Sequence, residues 1–403
     1  MLLTYFSQAI ASAHVARAIC APNPAVGCAV VCVDGRTASL GHTQPTGHAH
    51  AEVMALRDAA ARGLPVAGAT AYVTLEPCSH HGRTPPCCNA LIEAGIAKVV
   101  VAVLDPNPLV SGRGVQMLRD AGIEVEVLPT DNPEAVASRE LNIGFFSRMI
   151  RKTPWVRMKI AASLDGQTAL ANGASQWITG EAARTDGHAW RARSCAVLTG
   201  IGTVLQDDPL LDVRHVATPR QPHLVIVDSK LETPLNAKLF STLGKRGGSG
   251  EPFGLSQDAM DSIAGRTLLI YAAVPNEARK RALEALGATV IYLPEQDQPQ
   301  AVPVNPSDKK VDLAAMVRDL GQREINELHV EAGFKLNGSL LKAGVVDELL
   351  VYTAPMLLGT GMGMANMPAL AALGDAVQLD FTSAQMVGQD LRLVARLRGR
   401  DQF

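Results

Sequence analysis

Residues 74–88 read TLEPCSHHGRTPPCC, and the changes of character along this stretch decide the architecture around it. Residues 70–75, rich in Thr, Tyr and Val, read as a strand; the prolines and polar residues that follow make a loop. Pro85-Pro86 then opens a helix, because proline fits the first helical turn, where its missing N–H is not needed. A strand that runs into a loop carrying reactive side chains and on into a helix is a unit of an α/β sheet. Outward from this unit, residues 26–33 (VGCAVVCV) form a buried strand ended by Asp34-Gly35, residues 49–61 have helical spacing, and residues 98–104 are another strand.

Near residue 150 the chain restarts with Lys152-Thr153-Pro154 and a strand over 156–162, which places a domain boundary between 1–150 and 151–403. The second part alternates again: helix 181–193, strands 196–200, 224–227 and 267–272, helix 276–286, strand 289–293, helix 313–320, strand 327–331, a short helix near Gly338, and strand 348–354. Residues 244–254 hold five glycines and 295–308 are rich in Pro, Gln and Asp, so both read as exposed loops.

The 403 residues balance 37 Lys+Arg against 39 Asp+Glu, and 47% are hydrophobic, enough for packed cores. The first 150 residues carry ten basic and twelve acidic side chains, so no basic half is concealed, and aromatics are 4%. That composition speaks against a nucleic-acid partner, which needs a basic face and stacking rings. The uncharged start lacks a basic flank and continues through His14 and Arg17 as an amphipathic helix, not an export signal. Residues 349–374 are uncharged, yet Pro355, Pro368 and four glycines make them strand and loop, so no membrane span is expected. Six of the seven cysteines precede residue 90, an odd, clustered set that suits metal chemistry in a reducing, cytoplasmic setting.

The metal reading rests on His50-Ala51-Glu52, Pro77-Cys78 and Pro86-Cys87. His50, Cys78 and Cys87 supply three ligands of the type zinc prefers and leave a fourth position for water, whose pKa such an ion lowers to about 7. Glu52 is suited to moving protons between that water and a substrate. The pattern matches the zinc nucleobase-deaminase signature, H-x-E followed by P-C-x-x-C, except that eight residues separate Cys78 from Cys87. A closed structural site with Cys88 as fourth ligand is the competing reading; adjacent Cys87 and Cys88 cannot easily chelate one ion, and such a site has no use for Glu52. His80 and His81 are expected to face substrate or solvent, and Cys20, Cys28 and Cys32 to be small buried hydrophobes.

Taken together, Pro22-Asn23-Pro24-Ala25-Val26-Gly27, the His50 and Cys78 motifs, Asp105-Pro106-Asn107-Pro108, Ala162-Ser163-Leu164-Asp165-Gly166, Ser175-Gln176-Trp177-Ile178-Thr179, Asp207-Asp208-Pro209-Leu210 and Val330-Glu331-Ala332-Gly333 resemble the bifunctional riboflavin-biosynthesis deaminase/reductase family over nearly the whole chain. The resemblance implies a cytidine-deaminase-like α/β/α domain followed by a dihydrofolate-reductase-like α/β domain. The first would hydrolyse the 2-amino group of 2,5-diamino-6-(ribosylamino)-4(3H)-pyrimidinone 5'-phosphate; the second would use NADPH to reduce the ribosyl group to ribityl. It also implies a homodimer or homotetramer.

In the second domain the residues themselves offer only two glycine-bearing strand-to-helix turns, at 200–203 and 333–339, of the kind that let amides approach phosphate. By resemblance, Ala161, Trp177, Thr203, Asp207, Ser229, Gly333, Phe334, Lys335, Leu336, Asn337, Gly338 and Ser339 line the NADPH site. Ser175, Leu211 and Glu331 would touch the substrate, with Lys159 as a polar contact. Arg191 and Arg214 are the cations suited to its 5'-phosphate, since guanidinium forks match phosphate oxygens. In the first domain Asn23 is placed to read a pyrimidine edge or ribose hydroxyl, with His42 a weaker candidate, and Ser111-Gly112-Arg113-Gly114 opens a helix that could hold phosphate. The alternative function is an RNA nucleobase deaminase with an accessory binding domain, which shares the zinc chemistry but calls for the basic, aromatic face that this composition does not supply.

Overall fold

A computed structural model describes residues 2–35, 38–80, 85–108, 110–247, 257–296 and 305–403, so most of the two expected loops at 244–254 and 295–308, and His81, lie outside the described residues. The chain forms two units, residues 1–151 with 251–264, and residues 152–250 with 265–403.

The first unit runs α1 (Leu2–Ala16), β1 (Gly27–Val31), β2 (Ala38–His42), α2 (Ala51–Ala61), β3 (Thr70–Val73), α3 (Cys87–Glu93), β4 (Lys98–Val101), α4 (Arg113–Asp120), β5 (Glu124–Val127), α5 (Pro133–Leu141) and α6 (Ile143–Arg151). Its five strands are ordered β2-β1-β3-β4-β5; β1 is antiparallel to both neighbours, and β3, β4 and β5 are parallel. Two glycines set the layering. A Cβ on Gly27 would lie 1.8 Å from the Ala9 carbonyl oxygen of α1, and one on Gly41 would lie 2.2 Å from the Ala51 oxygen of α2. Gly27 is paired with His42, so Gly27 and Gly41 point to opposite faces, and α1 and α2 cover opposite sides of the sheet. The α5–α6 junction closes on the entry to β1 through Asn142, whose side chain accepts from the Ala25 N–H (2.7 Å) and donates to its carbonyl (2.9 Å).

The strand expected over 70–75 ends at Val73, and the one over 98–104 ends at Val101. Both terminate early because the chain leaves the ladder to build loops on the sheet edge, among them the loop that carries Cys78. The short β2 and β5 and the helices α5 and α6 are additions to the elements anticipated from sequence.

The second unit runs β6 (Trp155–Ser163), β7 (Gln167–Leu170), α7 (Glu181–Arg193), β8 (Ala196–Gly200), α8 (Ile201–Asp207), β9 (His223–Val227), then α9 (Gln257–Ser262), which groups with the first unit, followed by β10 (Leu268–Ala272), α10 (Glu277–Glu284), β11 (Ala288–Tyr292), α11 (Leu313–Gln322), β12 (Glu327–Val330), α12 (Phe334–Lys342), β13 (Glu348–Ala354), β14 (Gly361–Gly363), β15 (Leu379–Val387) and β16 (Asp390–Leu397). Nine strands are ordered β11-β10-β9-β8-β12-β6-β13-β16-β15. The first seven are mutually parallel, and the C-terminal hairpin adds β16 and β15 antiparallel. From β8 the chain steps outward to β9, and from β12 it crosses to β13 on the other side, so the topological switch lies between β8 and β12. Open α/β sheets bind ligands beyond the carboxyl ends of their strands at such a switch.

An ionic cluster lies within the central strands. The buried Arg157 of β6 donates to Glu327 of β12 (2.7 Å) and to Glu348 of β13; Arg193 and Arg396 complete the two carboxylates. The guanidiniums of Arg157 and Arg193 each lie 4.5 Å from the Trp190 ring centroid. Among the other tryptophans, Trp155 is fully buried and Trp177 is 67% exposed beside Arg184. No helix among the described residues is long and apolar enough to cross a membrane.

Candidate active sites

In the first unit three segments deliver the side chains expected to ligate a metal. His50 is the N-cap residue of α2, Cys78 lies in the loop after β3, and Cys87 is the first residue of α3. His50 Nδ1 stands 3.3 Å from Cys87 Sγ and 3.6 Å from Cys78 Sγ, and the three ligand atoms all lie within 4.8 Å of one another. Bonds of about 2.0–2.3 Å to one tetrahedral ion require ligand separations of roughly 3.5 Å, so the donor set fits zinc with a position to spare. The Cys87 thiol and backbone N–H both face Cys78, and this neighbour, with His50, outweighs burial and brings Cys78 down to about 4. Cys87 is pushed the other way by the same pairing and by burial. Glu52, in the first turn of α2, is 3% exposed; burial and then the Cys78 charge raise its carboxyl, against His50.

Cys88 belongs to a different environment. It is fully buried, its Sγ donates to the carbonyls of Pro77 (3.4 Å) and Gly114 (3.6 Å), and it is not among the clustered ligand atoms. Cys88→Ser is expected to leave metal stoichiometry and deaminase rate at the wild-type level, as elemental analysis and an ammonia assay would register; loss of both would restore the closed structural site. Asn23 lies half-buried in the loop between α1 and β1, and Thr46, on the approach to His50, donates to the carbonyls of Cys20 (3.3 Å) and Ala21 (3.4 Å) in that loop. His42 Nδ1 lies 3.4 Å from Ser12 Oγ of α1.

In the second unit the predicted residues cluster by topology. Lys159 and Ala161 sit in the second half of β6, Thr203 follows β8, Ser229 follows β9, and Glu331 and Gly333 follow β12, so parallel strands bring them to one edge. The two glycine turns meet there. A Cβ on Gly200 would lie 2.9 Å from Leu336 of α12, and one on Gly333 would lie 3.9 Å from Thr203 Oγ1. Gly200 and Gly333 are the N-cap residues of α8 and α12, and neither helix start has a side-chain cap, which leaves amides directed at the edge. Within α12, Asn337 and Gly338 are buried against residues 364–366, whereas Lys335 and Ser339 are exposed. Asp207 closes α8 about 6 Å along the helix from Thr203. The next residue, Asp208, makes the turn, with a φ of 42° and its Oδ1 accepting from the Lys238 N–H (2.8 Å).

Arg191 and Glu331 form a bidentate pair (2.7 and 2.9 Å), and the remaining Arg191 edge donates to the Asp212 carbonyl. Burial would raise the Glu331 carboxyl, but Arg191, with His329 and Lys159, outweighs it and holds Glu331 well below the usual range. Arg214 is exposed and, among the described residues, its guanidinium bonds Asp212 Oδ1 (2.8 Å) through Nη1. The Leu211 side chain is packed into the core under β8–β11, so its backbone is what the loop presents. Ser175 and Trp177 lie in the loop between β7 and α7.

Residues 154–393 match the family described as the RibD C-terminal domain, and residues 2–103 match the cytidine and deoxycytidylate deaminase zinc-binding region. The riboflavin biosynthesis protein RibD of Escherichia coli is 40% identical over 396 residues, covering 96% of this chain and 97% of that protein; the Aquifex aeolicus RibD is 37% identical, with 96% of each covered. The chain belongs to the RibD family. Family members are bifunctional deaminase–reductases of riboflavin biosynthesis, and both domains are present here. Among solved structures, Acinetobacter baumannii RibD superimposes with a TM-score of 0.78 at 36% identity over 98% of each chain. A Thermotoga maritima diaminohydroxyphosphoribosylaminopyrimidine deaminase/5-amino-6-(5-phosphoribosylamino)uracil reductase does so at 0.75 and 29%, covering 98% and 99%. The expected fold is therefore the observed one: a cytidine-deaminase-like first domain, and an α/β reductase second domain, anticipated as dihydrofolate-reductase-like, that is the RibD reductase domain.

One sequence expectation is corrected. The amides that open α4 are not free for phosphate, because the buried carboxylate of Glu76 occupies them. It accepts from Gly112 (2.9 Å), Gly114 (2.9 Å) and Val115 (3.1 Å), and from Asp105 (3.2 Å). Glu76 thereby locks the 105–115 segment onto the loop that holds Cys78. A Cβ on Gly114 would stand 2.0 Å from the Pro77 oxygen, so only glycine allows this approach. The sequence signal for Glu76 is a charged residue set between a strand and Pro77-Cys78.

Proposed function

We propose that the first unit is a zinc-dependent deaminase acting on 2,5-diamino-6-(ribosylamino)-4(3H)-pyrimidinone 5'-phosphate, and that the second reduces the ribosyl group of the product to ribityl with NADPH. The observation that carries this reading is the convergence of His50, Cys78 and Cys87 on one coordination shell with Glu52 buried alongside. Zinc held by those three side chains supplies Lewis-acid activation of water. Glu52 moves the protons. Its carboxylate takes one from the attacking water and gives it to a ring nitrogen, then carries the second to the departing amine; the C–O bond forms, the C–N bond breaks, and ammonia leaves.

In the second unit the cofactor supplies the hydride, and the chain supplies placement. The uncapped starts of α8 and α12 fit the phosphates of NADPH, with Ala161, Trp177, Thr203, Asp207, Ser229 and residues 333–339 around it. Ser175, Leu211, Glu331 and Lys159 face the substrate. Arg214 takes the 5'-phosphate; Arg191, the other cation expected at that phosphate, is engaged by both Glu331 oxygens and the Asp212 carbonyl and is assigned instead to orienting Glu331. The small-molecule substrate, the homo-oligomeric state and a reducing, cytoplasmic setting, which suits the seven free thiols, belong to the same reading.

A coupled assay of the purified protein with the diaminopyrimidinone ribosyl phosphate tests it. Ammonia release followed by NADPH oxidation is expected, with both stopped by a zinc chelator because the reductase is then starved. Ammonia without NADPH consumption would remove the second assignment. Absence of ammonia from zinc-loaded protein would remove the first.

A further inference from the structure

Among the described residues no strand pairs with the segment carrying Leu211 and Arg214, yet its backbone is bonded residue by residue to side chains from elsewhere in the second unit, two of them on α7. Arg266 donates to the carbonyls of Leu210 (3.1 Å) and Leu211, Arg191 donates to that of Asp212, and His188 Nδ1 accepts from the Arg214 N–H at 3.4 Å. The central clamp is Gln221. Its Oε1 accepts from the Val213 N–H (2.7 Å) and its Nε2 donates to the Val213 carbonyl (3.0 Å), the exchange that a neighbouring strand would make. Gln221 is 6% exposed, and the chain is anchored on either side of it. The preceding Arg220 donates to the Ser194 carbonyl (3.0 Å), the following Pro222 carbonyl accepts from Arg266 (2.8 Å), and β9 begins at the next residue.

We infer that Gln221 is a positioning residue for substrate recognition in the reductase: its carboxamide stands in for a missing strand and fixes the 211–214 backbone so that Arg214 meets the substrate's phosphate. The inference rests on the reading of Arg214 given above. Preorganisation of this kind affects binding of the group it serves and leaves remote sites alone, because the ordering cost is met before the substrate arrives. Gln221→Met keeps the volume and removes both bonds. Gln221→Glu keeps the acceptor, removes the donor, and sets a carboxylate against the Val213 carbonyl.

The test measures full-length variants in steady state with the deaminated ribosyl phosphate and NADPH. Both Gln221 variants are expected to raise the KM for the phosphorylated substrate by about tenfold or more, with the KM for NADPH and the deaminase rate unchanged. Arg214→Ala, run in parallel, is expected to raise the same KM and leave that for NADPH unmoved. In the Gln221→Met/Arg214→Ala double variant the increase should fall short of the product of the single effects, since one residue acts through the other. A raised Arg214→Ala KM beside an unmoved Gln221 KM overturns this inference alone, as do multiplicative effects or an equal rise in the NADPH KM. An Arg214→Ala KM at the wild-type value sinks the phosphate assignment itself and this inference with it.

Discussion

Glu52→Gln is expected to retain its zinc and to lose deamination by roughly 10²–10⁴-fold, the contribution of a positioned general acid–base group. Glutamine matches the shape of glutamate, and at 3% exposure the site will accept a neutral side chain at least as readily as a carboxyl already pushed toward its neutral form by burial. His50, Cys78 and Cys87 are untouched, so the metal has no reason to leave. What disappears is the ability to accept a proton from water and return it to the ring and the amine. Zinc content by elemental analysis, ammonia release, and NADPH oxidation with the deaminated substrate separate these effects. Full metal, no ammonia and an unchanged reductase rate are the expected set; near wild-type ammonia release would remove Glu52 from the mechanism.

Glu76→Ala is expected to damage the same unit by a different route. Four backbone N–H groups, those of Asp105, Gly112, Gly114 and Val115, would lose a charged acceptor inside the fold. Hydrogen bonds to a charged group contribute about 1.5–3 kcal/mol each, so even with water filling part of the gap the loss should exceed about 3 kcal/mol. For a unit of this size that corresponds to a fall of roughly 6–12 °C in its unfolding transition. Because the same carboxylate anchors the loop bearing Cys78, weakened zinc retention and lost deamination should accompany the shift, with the reductase rate preserved. Calorimetry and zinc stoichiometry are the measurements. An unaltered transition with full metal would show that Glu76 is dispensable as an anchor.

The parts of these sites that sequence displayed are those written in short range. His50 and Glu52 are two residues apart, Cys78 and Cys87 flank one loop, and that donor set is of the kind zinc prefers. The buried parallel strands β9 and β10 were equally plain, because His223–Val227 (HLVIV) and Leu268–Ala272 (LLIYA) are dominated by Val, Leu and Ile. The features that sequence concealed depend on separation or on backbone. Arg191 meets Glu331 across 140 residues, and Glu76 meets amides 29 to 39 residues further on, where the acceptors' partners carry no side-chain signal at all. Gln221 is concealed for the same reason, since it imitates a peptide group. The hairpin β15–β16 is hard to see in the sequence because β15 is exposed on both faces and the bulge between Phe381 and Ser383 shifts the phase of its apolar alternation midway.

The tryptophans have a practical consequence for following either half of this enzyme. All three, Trp155, Trp177 and Trp190, belong to the second unit, and the first unit has none. Indole emission is therefore a reporter of the reductase half alone. Trp155, enclosed in the core, and Trp190, flanked by guanidiniums, should keep an unchanged emission spectrum as long as that half stays folded, while Trp177, two-thirds exposed on the loop assigned to the cofactor, is the one whose light should change when nucleotide arrives. Melting of the deaminase half, by contrast, will pass unseen in a fluorescence trace and must be followed through its metal or its amides.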